Sequence, residues 1–133
     1  MSTPGSGIGN EYIIRGYATE ACAELSPGDK HCACVVSAIA KQDSGYATLG
    51  VGAKTNNPCN LRPIGENGGI PHTDYHSPGN GFFGKYANLR DGTKACVDLY
   101  VRKYKGLRTD TITWQWARTR NPAYYGAIRS CYN

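Results

Sequence analysis

Asp43 stands on the apolar stripe of a segment in which Cys32, Val35, Val36, Ile39 and Ala40 recur at helical i, i+3, i+4 spacing, and Ser44-Gly45 follows it directly. A carboxylate in such a place is costly unless it is paired, neutralised or used. The use it suits is proton donation. Apolar surroundings lift a carboxyl's pKa, so that the group still holds a proton to give to the leaving oxygen of a glycosidic bond. The partial negative charge at a helix C-terminus would push the same way. Spacing alone also accommodates a capping or salt-bridged aspartate, which is the commoner fate of such a residue.

A second carboxylate would set the outcome of glycoside cleavage, because inverting hydrolysis needs one roughly 6.5–9.5 Å from the acid with water between them. Glu66 and Asp74 are the candidates, each equally readable as a solvated loop charge. If neither reaches the acid, the sugar's own hydroxyl must attack and one carboxylate serves twice. Ten tyrosines and two tryptophans against two phenylalanines favour rings that stack on sugar faces while their polar edges stay wet. Tyr46, Tyr75, Tyr86 and Tyr124 are placed near a groove on this reading, whereas Trp114 and Trp116 are assigned to the core. Asn56, Asn57 and Arg62 suit N-acetyl or lactyl groups, Arg62 by presenting a planar fork to a carboxylate. Asn56-Asn57-Pro58 is also ordinary turn chemistry, and that structural role is the stronger of the two.

Six cysteines, Cys22, Cys32, Cys34, Cys59, Cys96 and Cys131, form an even set spread along 133 residues, the pattern of a disulfide framework in an oxidising compartment. Cys32 and Cys34 would point to different faces of a helix and so bond to different partners, with Cys22 a mate for one of them. A metal site would need a second close pair beside Cys32-Ala33-Cys34, and none follows. Neither a metal nor a cofactor is expected. A thiol-nucleophile hydrolase using a cysteine with His31, His72 or His76 is the rival enzyme class, and an even, fully bridged set would exclude it.

The elements that must position these groups are mostly helical. From Asn10, Tyr12, Ile13, Tyr17 and Ala21 predict a first helix to about Glu24, and Ser26-Pro27-Gly28 ends it. Asp29 is the expected cap of the second helix and Gly45 its terminator. The Gly-, Pro- and Asn-rich stretch from Tyr46 to Tyr86 reads as loops with a short hairpin, the usual lining of a cleft. Asp91 is the expected cap of a third helix whose buried side runs on to Tyr104. Thr109 or Asp110 opens a fourth, and Asn121-Pro122 a fifth that reaches Cys131.

Length and composition fit one mainly α domain over residues 10–133 behind a flexible Ser-, Gly- and Pro-rich lead over residues 1–9. That lead is not a basic stretch followed by an apolar core, so no secretory signal peptide is read in it. No apolar run reaches the ~20 residues of a spanning helix, and no membrane partner is expected. The net charge of +5 suits anionic partners, but the basic residues are scattered rather than gathered in an arm or stripe, which argues against nucleic acid.

Ser37-Ala-Ile-Ala-Lys-Gln-Asp-Ser-Gly45 resembles the helix and Gln-Glu-Ser-Gly signature of lytic transglycosylases and goose-type lysozymes, with Asp43 where the family has Glu. Gly52-Ala-Lys-Thr-Asn-Asn-Pro-Cys-Asn-Leu-Arg62 is similar to the Lys-Thr-Asn-Asn-Pro-Gly-Asn stretch of phage-type and secreted members of the lysozyme-like superfamily, with Cys59 where Gly is usual. Gly81-Phe82-Phe83 through Tyr86, and then Asp91 to Ala95, resemble the aromatic strand and helix start that close the cleft in those proteins. The resemblance implies a lysozyme-like α+β fold and a β-1,4 bond between N-acetylmuramic acid and N-acetylglucosamine in bacterial peptidoglycan as the target. It makes Asp43 the general acid and base, with Ser44 of the signature beside the substrate. A wall glycosidase with a disulfide framework and no visible signal peptide would act outside the cell or in the periplasm, and is what a phage lysin, or a toxin delivered by a secretion system and paired with an immunity protein, would look like. Asp is one methylene shorter than Glu, and a displacement of ~1 Å can cost ~100-fold in rate. A glycan-binding or structural member of the same group is therefore the non-enzymatic alternative.

Overall fold

The stripe that carries Asp43 forms the central helix of the molecule. In this computed structural model, which describes residues 7–63, 65–66 and 68–132, α2 runs from Cys32 to Ser44, with Val35, Val36, Ile39 and Ala40 fully buried. Around it pack α1 (Gly7–Leu25), α4 (Leu89–Leu99) and α6 (Pro122–Arg129), while α5 (Thr109–Ala117) leans on α6. Between α2 and α4 the chain forms a short α3 (Gly50–Thr55) and an antiparallel hairpin of β1 (Thr73–Ser77) and β2 (Gly81–Lys85), in register Thr73 to Lys85 and Tyr75 to Phe83. The molecule is thus mainly α with one small hairpin. Among the described residues, no helix is long and apolar enough to cross a membrane.

The helix ends show which polar residues are spent on architecture. Gly45 closes α2 in the left-handed region at φ 56°, its N–H bonding to the Lys41 carbonyl at 2.9 Å while Tyr46 N–H reaches Ala40 at 3.1 Å. The expected cap at Asp29 is corrected: its carboxylate accepts from His31 N–H at 3.0 Å and holds the turn before the helix, whose capping position is His31 itself. The expected cap at Asp91 is corrected in the same way, since Asn88 three residues earlier accepts from Asp91 N–H at 2.8 Å. Asn121 caps α6 as expected, accepting from Ala123 N–H at 2.9 Å. The helical path of α4 continues through one wide π turn over Tyr100–Tyr104, which carries its buried side on as the apolar spacing requires. Residues 7–9, expected in the flexible lead, form the start of α1; residues 1–6 of that lead lie outside the described residues.

α3 was not expected, because six residues containing two glycines carry no readable helical period. The position of Gly52 in it is dictated by contact: a Cβ there would lie 2.5 Å from Ser44 Cβ and 2.9 Å from the Asn57 carbonyl. Gly92 in α4 plays the matching part from the other side, where a Cβ would come within 1.8 Å of the Asn56 carbonyl. These two close approaches seat the Asn56–Asn60 turn between α2 and α4.

Three disulfides tie the layers: Cys22–Cys32 joins α1 to α2, Cys34–Cys131 joins α2 to the C-terminus, and Cys59–Cys96 joins the Asn-rich turn to α4. Cys32 and Cys34 take different partners, and Cys22 is the mate of one, as the helix geometry demands. Cys59 is thereby a covalent anchor of the Asn-rich turn. No cysteine is free, so the thiol-nucleophile hydrolase is ruled out for want of a nucleophile. The three bridges fit a protein that works in an oxidising compartment.

Candidate functional site

α2 delivers Asp43 to the junction of α5 and α6. The Tyr124 hydroxyl of α6 donates to Asp43 Oδ1 at 2.8 Å, and the Trp116 indole of α5 donates to the same carboxyl. Two donors favour the charged form, but burial disfavours it more. The net result is a pKa raised from 3.8 to about 7. Desolvation alone accounts for the rise, so the helix-end charge considered from the sequence is not required. A carboxyl at this value is partly protonated at neutral pH and can both give and take a proton. Tyr124, buried against the carboxylate, has its own hydroxyl pushed well above the ordinary phenol range.

The carboxyl opens on a cavity of about 460 Å³. Its helical wall is formed by Asp43, Leu99, Tyr104, Gln115, Trp116 and Arg118; the opposite wall is formed by Asn60, Arg62, Glu66 and Phe83. Asn60 ties the two walls together, its amide donating to the Asp43 backbone carbonyl at 2.9 Å from a left-handed conformation at φ 51°. The Asn60 Oδ1 is buried without a hydrogen-bond partner. The Arg62 guanidinium carbon lies over the Phe83 ring at 4.0 Å from its centroid, and the group donates to the Asn80 and Phe82 carbonyls at 2.6 and 3.0 Å. Its backbone N–H holds Glu66 Oε1 at 2.6 Å, and Arg102 reaches the Glu66 carbonyl at 3.3 Å. Glu66 is therefore fixed at the cavity by its neighbours on two sides.

The other residues singled out from the sequence fall elsewhere. Asp74 is exposed on β1 and does not line the cavity. Ser44 is buried, its one hydroxyl proton shared between the Pro58 and Ala40 carbonyls at 2.6 and 3.1 Å while its oxygen accepts from Ala47 N–H at 2.8 Å. Tyr46 turns away through a positive φ of 60° and packs toward α1, where Arg15 hydrogen-bonds it and Asn10 donates to its carbonyl at 3.0 Å. Asn56 donates to the Tyr86 carbonyl at 3.1 Å. Asn57 is fully buried and fully bonded, donating to Leu61 and Gly84 carbonyls at 3.0 and 2.9 Å and accepting from Leu61 N–H at 2.9 Å. Tyr75 sits half-buried opposite Phe83 in the hairpin. Tyr86 is buried beneath the site, where burial and the charge of Glu66 hold its phenol above the ordinary range.

Trp116, Asn60, Arg118 and Tyr104 line the cavity and were not singled out as site residues. Trp116 was assigned to the core, and its ring does pack on Tyr104 at 4.8 Å between centroids, yet its indole N–H serves Asp43. Asn60 belongs to the Asn-Pro-Cys-Asn stretch and could have been noticed as its last polar member. Arg118 takes the left-handed position after α5 at φ 52°, and Tyr104 lies in the π turn; no sequence signal marks either. Among the described residues, no three of His, Cys, Asp and Glu gather where they could hold a metal ion.

No family profile and no curated protein matches this chain by sequence. One solved structure is similar. The crystal structure of the catalytic domain of the autolysin Auto from Listeria monocytogenes superposes with a TM-score of 0.57 at 16% identity, covering 98% of this chain and 85% of that one. At such low identity the likeness is one of fold.

Proposed function

We propose that this chain hydrolyses the glycan strands of bacterial peptidoglycan as a lysozyme-like domain, residues 10–133 acting as one unit. The observation that carries the reading is the Asp43 carboxyl, facing a cavity with its pKa raised to about 7. It is the general acid: protonated, it gives its proton to the glycosidic oxygen as the bond to the sugar breaks. Glu66, which lines the same cavity, is the base that draws a proton from the attacking water; Asp74 has no part in the step. Arg62, Arg118 and Asn60 supply donors along the cavity for the N-acetyl and lactyl groups of the substrate. Support comes from outside the chain in the fold of the Listeria autolysin catalytic domain, and from the chain's own three disulfides, which suit the extracytoplasmic space where the wall lies. Delivery by a phage or a secretion system, with an immunity protein as cognate partner, belongs to the same reading.

The test is release of soluble fragments from purified sacculi. Asp43→Asn is expected to lower turnover by about 10³-fold, the range of a lost general acid, without loss of fold. The products of the parent chain should carry reducing ends by mass spectrometry. Full turnover by Asp43→Asn would overturn the assignment. Anhydro-sugar ends would replace hydrolysis by intramolecular attack. Absence of turnover in both the parent and Asp43→Glu would leave the domain a glycan-binding protein.

A further inference from the structure

A second hollow, of about 600 Å³, lies between the outer side of α5 and the start of α6. Its floor carries two aromatic side chains that the fold leaves open: Trp114 is 42% exposed and Tyr125 40% exposed. The Arg120 guanidinium lies 4.7 Å from the centre of the Trp114 ring, which holds the indole in place and presents a donor beside it. Asp110 and Thr119 add polar edges. Flat amphipathic rings flanked by a few hydrogen-bonding side chains are the chemistry that recognises a pyranose, whose C–H face stacks while its hydroxyl and acetamido groups bond sideways.

The location narrows the ligand further. Gln115 lines this hollow and the Asp43 cavity alike, and its side chain is exposed on the crest of α5 between Trp114 and Trp116. A polymer that leaves the Asp43 cavity over Gln115 passes directly onto Trp114. We infer that the α5–α6 groove is a holding site for a further stretch of the same N-acetylated glycan strand, outside the cleavage site and contributing to affinity for polymeric wall rather than to bond breaking. This rests on the glycan-strand reading for its ligand, but not on Asp43 being the acid.

Binding and cleavage are separated by working in the Asp43→Asn chain. Its co-sedimentation with purified sacculi is expected to weaken about tenfold on adding Trp114→Ala, and by a similar factor with Tyr125→Ala, since a lost stacking contact is worth about that much. Both side chains are surface-exposed, so thermal midpoints should stay near the parent value. As an independent reading, Trp116→Phe leaves Trp114 as the sole tryptophan, and its emission should shift on adding a soluble N-acetylglucosamine hexamer. Undiminished sacculus binding by both variants would overturn the inference, as would Trp114 emission that ignores the hexamer. Emission that shifts with protein concentration alone would assign the groove to a second copy of the chain and equally overturn it. Cleavage surviving in Asp43→Asn would strike the catalytic assignment and leave this result standing.

Discussion

The end of α2 and the Asn56–Asn60 turn lie against each other, and each shields a polar side chain from water, yet the two side chains are treated oppositely. Asn57 is fully buried and every part of its amide that needs a partner has one, the oxygen from Leu61 N–H and the nitrogen from two carbonyls. Asp43 also receives two donors, but they do not offset the desolvation of its charge, and its carboxyl opens on a cavity. A satisfied polar group locks a loop and has nothing left to offer a ligand. An unbalanced ionisable one stores a proton that chemistry can use. The contrast makes definite demands on stability and on rate.

The largest effect is on the pH dependence of stability. Asp43 titrates near 3.8 when unfolded and about 7 when folded, so between those values the native state binds a proton that the unfolded chain has released. Stability contributed by this group therefore falls as pH rises from about 4 to 7 and is fully lost above 7, by up to about 4 kcal/mol before allowing for its partial exposure. Asp43→Asn removes the effect. Relative to the parent, its urea-unfolding free energy should climb by about 2–4 kcal/mol between pH 4 and pH 8. A difference between the two chains that does not vary with pH would show that the carboxyl is solvated.

Asn57→Ala should act in the reverse sense, lowering stability by about 3 kcal/mol at all pH values, because it leaves the buried Leu61 N–H without its acceptor and takes a donor from each of the Leu61 and Gly84 carbonyls. Activity per folded molecule should be retained. If the variant instead kept its stability and lost cleavage, Asn57 would be a substrate contact and the contrast with Asp43 would dissolve. Glu66→Gln tests the opposite wall of the cavity, with an expected loss of about 100-fold in turnover for removal of a general base, while Asp74→Asn stays at the parent rate. A loss under about threefold at Glu66 would mean that no second carboxylate takes part.

Much of this was visible in the chain before folding. Asp43 could be picked out because a carboxylate interrupts an apolar stripe, and the helices with long stripes followed from period alone. The hairpin, the order of the helices and the divergent partners of Cys32 and Cys34 were legible for the same reason: each is a local pattern. What escaped depends on contacts between distant segments or on backbone conformation that residue type does not announce. Trp116 reads as core because an indole N–H has no pattern of its own, and only α5 packing beside α2 makes it a donor to Asp43. Asn60 and Arg118 reach the cavity from left-handed positions, and Tyr46 leaves it through another. Asp29 and Asp91 look like caps, but His31 and Asn88 occupy those positions, since several polar residues near a helix start compete for the same N–H groups.

The finest test concerns Tyr124. Its hydroxyl bond at 2.8 Å favours the charged form of Asp43 and so holds the pKa down against burial. Tyr124→Phe keeps the ring and removes only that bond. The acid should then hold its proton more tightly, and the alkaline limb of the rate profile, set near pH 7 in the parent by loss of the Asp43 proton, should move to higher pH. The maximal rate should fall by about tenfold, because the carboxyl loses one of the two donors that orient it. A purely structural role for Tyr124 would lower stability and leave the limb where it was. A limb that moved to lower pH would mean that the phenol opposes rather than supports the carboxylate, and the balance drawn between donors and desolvation at Asp43 would have to be reversed.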